Sequence, residues 1–299
     1  MTAPSWLWIV FTLVGAAALT ARNAMQRGLI TSLGTVGATQ VRFLFGLPFA
    51  TIFLVAILVY LRPEVPPPSS NAIAWTAMGG LSQIVATGLM LASMRERSFV
   101  IAIAYTKTEA VQVAVLGTVM LGDWLTPGQA AAVVAASAGV MLLSWPRRDG
   151  IGALSWRPAL LGVAAGGLFA MASVGFRGGI QSLGAPSFIA GASVILTLSL
   201  AIQTVTLTIY LVVYNRVALM AILRDWRPSL FAGFMGALSS QMWFLAFAIE
   251  TAAKVRTLAL IEILFAQLVS RRLLEARLTA REIAGIGGLV LGVGMLLWL

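Results

Sequence analysis

Lys107 and Glu109 stand two residues apart inside one apolar run, Arg256 and Glu262 lie inside another, and Arg42 interrupts a third. Ionisable groups in such runs are costly, face the protein interior or a wet cavity, and mark routes for ions, protons or polar substrates. A buried carboxylate can carry a proton or hold an ammonium group, and a buried cation can hold a carboxylate. The alternative is a set of structural ion pairs that pin helices together. On an ideal helix, positions 107 and 109 point to nearly opposite sides, so these two need not pair with each other. Histidine and cysteine are absent. The commonest general base and metal ligand are therefore missing, as are disulfides and thiolate chemistry. No cofactor, no metal and no catalytic constellation are expected.

Aromatic residues add a second set of candidates. Most of the nine tryptophans fall at the ends of apolar runs, where an interfacial belt belongs. Trp243 does not, and neither does Tyr105. At mid-depth their N–H and O–H groups must find partners away from lipid, in a cavity or between helices. Tyr105 and Glu109 share one helical face. Met78 and Ser82 lie on one face of their run, and Trp243 and Phe247 on the corresponding face of theirs. These residues, with Lys107, Arg256 and Glu262, form the predicted substrate-binding set.

Elements that could position them follow from composition. The 299 residues are 60% hydrophobic and 10% charged, against about 25% charged in soluble domains. Apolar runs of 20 or more residues are long enough to cross a bilayer core roughly 30 Å thick. The net charge of +10 invites a nucleic-acid reading, but the arginines lie singly or in pairs between apolar runs. The first run lacks a cationic leader and a cleavage site and reads as a retained span. Punctuation at charges, prolines and glycines predicts ten helices, near 6–27, 34–61, 71–94, 98–121, 127–145, 157–180, 185–214, 228–250, 254–275 and 279–299. Lipid is thus an expected partner, and nucleic acid is not.

The chain also repeats itself. Arg27, Gly28, Ile30, Ser32, Leu33 and Gly34 recur as Arg177, Gly178, Ile180, Ser182, Leu183 and Gly184. Further along, a single offset of 153 pairs Glu109 with Glu262, Thr126 with Thr279, Gly139 with Gly292 and Trp145 with Trp298. The fold expected is therefore all-α and integral to the membrane. It would have two five-helix repeats, 1–150 and 151–299, around a central cavity. An odd number of crossings inverts the second copy, the arrangement of secondary transporters with a midplane site between repeats. Arg27, Gly28 and Gly34, with Arg177, Gly178 and Gly184, mark a candidate gating hinge in each half; an ordinary helix terminus is the alternative. The Gly/Ala-rich last helices of each half read as close-packing surfaces.

Arginine gives an orientation. Arg22, Arg27, Arg95, Arg97, Arg147, Arg148, Arg157, Arg216, Arg224, Arg227, Arg271, Arg272, Arg277 and Arg281 fall on one side of the predicted membrane; Arg62, Arg177, Lys254 and Arg256 belong to the other. The positive-inside rule then places both termini outside.

With two five-helix repeats, Val41-Arg42-Phe43-Leu44-Phe45 opening the second span, and Leu121-Gly122-Asp123-Trp124-Leu125-Thr126 before a Gly139-Val140 ending, the chain resembles the drug/metabolite transporter superfamily. Leu274-Glu275-Ala276-Arg277-Leu278-Thr279 and Gly292-Val293 repeat the last pattern. Within its ten-helix EamA-type branch, the chain is most similar to the aromatic amino acid exporters. The resemblance implies a monomer in a bacterial inner membrane, exporting aromatic and other apolar amino acids by alternating access. Efflux of lipophilic cations, recognised by Glu109 and Glu262, is the alternative.

Overall fold

A computed structural model describes residues 4–94, 105–144, 156–224, 226–265 and 279–299, the side chains of 23–35, 91–94, 156–158 and 228 excepted. Among the described residues the secondary structure is helical, without a strand. The helices are α1 (Leu7–Leu61), α2 (Ser70–Met94), α3 (Glu109–Leu121), α4 (Pro127–Leu143), α5 (Trp156–Leu183), α6 (Phe188–Tyr214), α7 (Arg216–Arg224), α8 (Trp226–Ile249), α9 (Ala252–Ala259) and α10 (Ala280–Trp298). Six described segments are long and apolar enough to cross a membrane: Val36–Leu61, Ser70–Met90, Ala159–Leu183, Phe188–Tyr214, Ser229–Ile249 and Ala280–Trp298. Leu7–Arg22, α3 and α4 are shorter apolar helices.

The helices divide into two compact units that interleave the sequence halves. One comprises 1–84 and 175–250, the other 85–174 and 251–299. Each unit therefore takes helices from both predicted repeats, and the division falls inside α2 and α5 rather than at position 150.

In the first unit both arms of α1 lie on α8. A straight helix would separate positions 22 and 42 by ~30 Å. Yet Arg22 Cδ and Arg42 Cγ each lie 3.5 Å from where a Cβ on Gly236 would stand. Helix α1 therefore changes direction between its arms; of these, Val36–Leu61 is long and apolar enough to span and Leu7–Arg22 is shorter. Without water in the hydrocarbon, polar side chains must bond across helices. Gln40 donates to Thr208 Oγ1 at 2.8 Å, Gln203 to Gln83 Oε1 at 2.8 Å, and Gln241 to Ser193 Oγ at 2.8 Å. The end of α5 closes on α2 through glycine: a Cβ on Gly175 would stand 2.8 Å from Gly79 backbone, and one on Gly178 2.7 Å from the Trp75 ring.

In the second unit α4 and α10 pack antiparallel, backbone against backbone. A Cβ on Gly139 would strike Leu289 N and come to 2.8 Å of Gly285 O. A Cβ on Gly292 would strike Ala136 N and come to 2.7 Å of Ala132 O. Adding 153 converts Gly139, Ala136 and Ala132 into Gly292, Leu289 and Gly285, so each contact is made twice, with roles exchanged. That reciprocity defines a local two-fold axis perpendicular to the pair. The same offset relates two capping boxes. Thr126 accepts from Gln129 N at 3.2 Å while Gln129 Oε1 accepts from Thr126 N at 3.1 Å. Thr279 accepts from Glu282 N at 3.3 Å while Glu282 Oε2 accepts from Thr279 N at 2.8 Å. Each satisfies two backbone donors at a helix start.

Two departures from the sequence reading stand out. The region 215–227, read as a loop, contains α7, whose apolar stretch between Arg216 and Arg224 is too short to span. The predicted spans 98–121 and 254–275 are both interrupted, and the interruptions lie at the site.

Candidate functional site

Helical hydrogen bonding pauses at 107–108 and again at 260–261, positions related by the offset of 153. Glu109 and Glu262 follow the two interruptions directly. At the first, Thr108 N donates to Tyr105 O at 3.1 Å, a tightened turn, and Thr108 Oγ1 donates to the same carbonyl at 2.7 Å. Threonine hydroxyls compete for backbone groups in this way. Gln112 Nε2 completes the support by donating to Thr108 Oγ1 at 2.8 Å. At the second, Ile261 N reaches Leu258 O and Leu264 N reaches Ile261 O, again three residues back. Helix α5 approaches the first break through glycine: a Cβ on Gly166 would stand 3.0 Å from Thr106 O, and one on Gly167 2.6 Å from Gln112 Oε1.

The charges of the two broken helices are crossed. Arg256 Nη2 donates to Glu109 Oε2 at 2.7 Å and lies 2.6 Å from Oε1. Lys107 Nζ donates to Glu262 Oε1 in a short contact. Each carboxylate is held by a cation from the other half of the sequence. Lys107 does not pair with Glu109, in keeping with their opposite directions. Side-chain exposure is 10% for Glu109 and 22% for Arg256, 19% for Lys107 and 20% for Glu262. Arg256 is within electrostatic reach of Glu262 as well as Glu109. Two cations and two anions leave the cluster neutral, which limits the cost of keeping charge out of water.

The structure brings together Lys107, Glu109, Arg256 and Glu262, with half-buried Tyr105 at the first break. The aromatic candidates of the other unit are placed differently. Trp243 Nε1 donates to Ser239 Oγ at 3.0 Å, and Ser239 Oγ donates to Gly15 O at 2.9 Å. Trp243, Ser239 and Phe247 are buried, and Trp243 and Ser239 face the N-terminal arm of α1. Trp243 thus has its partner in a helix–helix contact. Met78 and Ser82 are half-buried on α2.

The proposed hinge residues of the second half have structural partners. Arg177 Nη1 donates to Phe247 O at 2.7 Å and Glu250 O at 2.6 Å, capping the last carbonyls of α8. Gly178 is held against Trp75, and Gly184 (φ +63°) ends α5 in the left-handed conformation that glycine tolerates best. Gly184 also borders a cleft of about 450 Å³ lined by Gln181, Ser187, Phe188 and Ile249. Arg27, Gly28 and Gly34 lie outside the described side chains. Sequence reasoning missed Gln112, Gly166 and Gly167; the polar Gln112, one turn beyond Thr108 in an apolar run, was the available signal.

No protein-family model matches the chain, and no curated protein matches it. Among solved structures it is similar to one described only as "Crystal structure of protein", at a TM-score of 0.72 and 14% identity over 96% of this chain and 95% of that one. At that identity the likeness shows the fold alone.

Proposed function

We propose that the chain is a secondary transporter of zwitterionic amino acids, aromatic and other apolar ones among them, working by alternating access. The crossed ion pairs at two symmetric helix breaks carry this reading. Discontinuous helices at corresponding positions of two repeats are where transporters bind substrate and coupling ions. A zwitterion brings one carboxylate and one ammonium. Its carboxylate exchanges with a glutamate for Arg256 or Lys107, and its ammonium takes the place of a cation at Glu109 or Glu262. Every buried charge keeps a partner, and the net charge does not change. A lipophilic cation would have to displace Arg256 or Lys107 and leave that group uncompensated, which disfavours the efflux alternative. Tyr105 would meet the substrate's side chain.

The reciprocal packing of α4 on α10 supports the inverted-repeat architecture, because an antiparallel two-fold pair places the axis across the helices. The repeats and the quoted motifs support membership of the drug/metabolite transporter superfamily, in a bacterial inner membrane, and the arginine distribution supports both termini outside. The test is flux in liposomes holding the purified protein. Saturable uptake of labelled phenylalanine and leucine, with no uptake of a cationic dye, is expected. Dye flux without amino acid flux would overturn the reading.

A further inference from the structure

Helix α7 joins α6 to α8, both long and apolar enough to span a membrane. Its nine residues extend ~13.5 Å. Ile222, on one side, is fully buried in a cluster with Val41, Leu211 and Ala232. The other side is open: Val217 is 82% exposed, Met220 65% and Leu223 50%. In water that apolar face would have no cover. Within hydrocarbon the helix would carry Arg216 and Arg224, both exposed, into lipid. An apolar face bracketed by arginines at both ends fits neither medium and fits the boundary between them, where long cationic side chains reach the headgroups.

Flanking residues fix the same level. Tyr210 and Tyr214 pack as a tilted pair with ring centroids 5.1 Å apart at the end of α6. Exposed Trp226 opens α8, with the Arg227 guanidinium 5.6 Å from its ring. Aromatic side chains with a polar edge concentrate at headgroup depth. Over 210–230 the chain has three arginines and one acid, Asp225, so the surface is complementary to an anionic leaflet.

We propose that α7 is an interfacial helix that docks on the membrane surface and binds anionic phospholipid headgroups through Arg216, Arg224 and Arg227. The proposal is independent of the transport reading. The chain has no cysteine, so Met220→Cys and Glu64→Cys each give one nitroxide attachment point in the full protein reconstituted in liposomes. A label at 220 should show severalfold higher access to oxygen, relative to a water-soluble nickel complex, than one in the exposed loop at 64. Equal ratios would overturn the interfacial placement. Spin-labelled phosphatidylglycerol should associate with the protein in preference to phosphatidylcholine. An Arg216→Gln, Arg224→Gln, Arg227→Gln variant should lower that preference about fivefold, and the corresponding lysine variant should keep it. An unchanged preference in the glutamine variant would overturn the lipid assignment. If that variant does not insert, Arg224→Gln alone, set against Arg224→Lys, reads the same preference.

Discussion

Arg256 and Glu109 separate a structural ion pair from a functional one. Both side chains are largely withdrawn from solvent, and Nη2 of Arg256 lies 2.6 and 2.7 Å from the two carboxylate oxygens. Arg256→Gln alone leaves the Glu109 carboxylate without its cation in a poorly solvated site, and Glu109→Gln alone does the converse. Removal of one partner from a buried pair costs about 3–5 kcal/mol. Glu262 is near enough to Arg256 to compensate it in part in the Glu109→Gln variant, so Arg256→Gln, which deprives two carboxylates of a cation, should be the costlier of the two. The double variant Glu109→Gln/Arg256→Gln removes both charges and keeps two amides that can bond to each other, so most of the lost stability should return. Equilibrium unfolding in mixed micelles gives the four corners of the cycle, and its coupling energy isolates the pair. Transport in liposomes is the deciding measurement. If the pair only pins α3 to α9, flux should recover with stability in the double variant. The binding role requires flux to stay lost while the fold returns. Recovery of phenylalanine flux in the double variant would refute the assignment.

Other outcomes follow from the same geometry. Gly292→Ala and Gly139→Ala should each destabilise by about 1–3 kcal/mol through overpacking. Gly287→Ala, where nothing lies within 4 Å of an added Cβ, should be neutral in the same unfolding assay. Because the two seam glycines set one helix separation, their double variant should cost less than the sum. Arg177→Gln should weaken the end of α8 by about 1.5–3 kcal/mol, the range for hydrogen bonds from a charged donor, read as a lower melting temperature. Trp243→Ala should reduce flux of phenylalanine and threonine alike, since its indole is committed to Ser239. Tyr105→Ala should reduce phenylalanine flux more than threonine flux. In intact cells an impermeant maleimide should label Glu64→Cys and spare Thr279→Cys; the reverse would invert the arginine-based orientation.

Much of this arrangement was legible in the sequence because it rests on repetition and hydropathy. The offset of 153 that joins Gly139 to Gly292 in one dimension also joins their contacts in three. The threonines at 126 and 279 declared helix starts by type and position. The breaks at 107–108 and 260–261 were not legible. Neither contains proline or glycine, and the second is Leu260-Ile261 in an ordinary apolar run; it is the hydrogen-bonding pattern, not the residue types, that marks it. Pairing across α3 and α9 was equally hidden, since periodicity along one helix says nothing about which residue of another it will meet. Trp243 shows the converse. Its depth was read from the sequence, but depth alone does not distinguish a cavity wall from a helix–helix contact, and sequence spacing does not say that Ser239 takes the indole N–H. Helix α7 escaped because seven apolar residues between arginines satisfy no spanning pattern.

The α4–α10 seam also sets a gear ratio for any displacement inside its unit. Gly285, Gly288 and Gly292 form sockets that admit the facing backbone, and the residues between them, such as Leu289, carry side chains that do not. A slide of less than one helical pitch, about 5.4 Å, would drive a side chain into backbone. A full pitch would carry Leu289 or Leu296 to within one position of a socket that fits only hydrogen. The pair is therefore an indexed joint, locked against translation along its length.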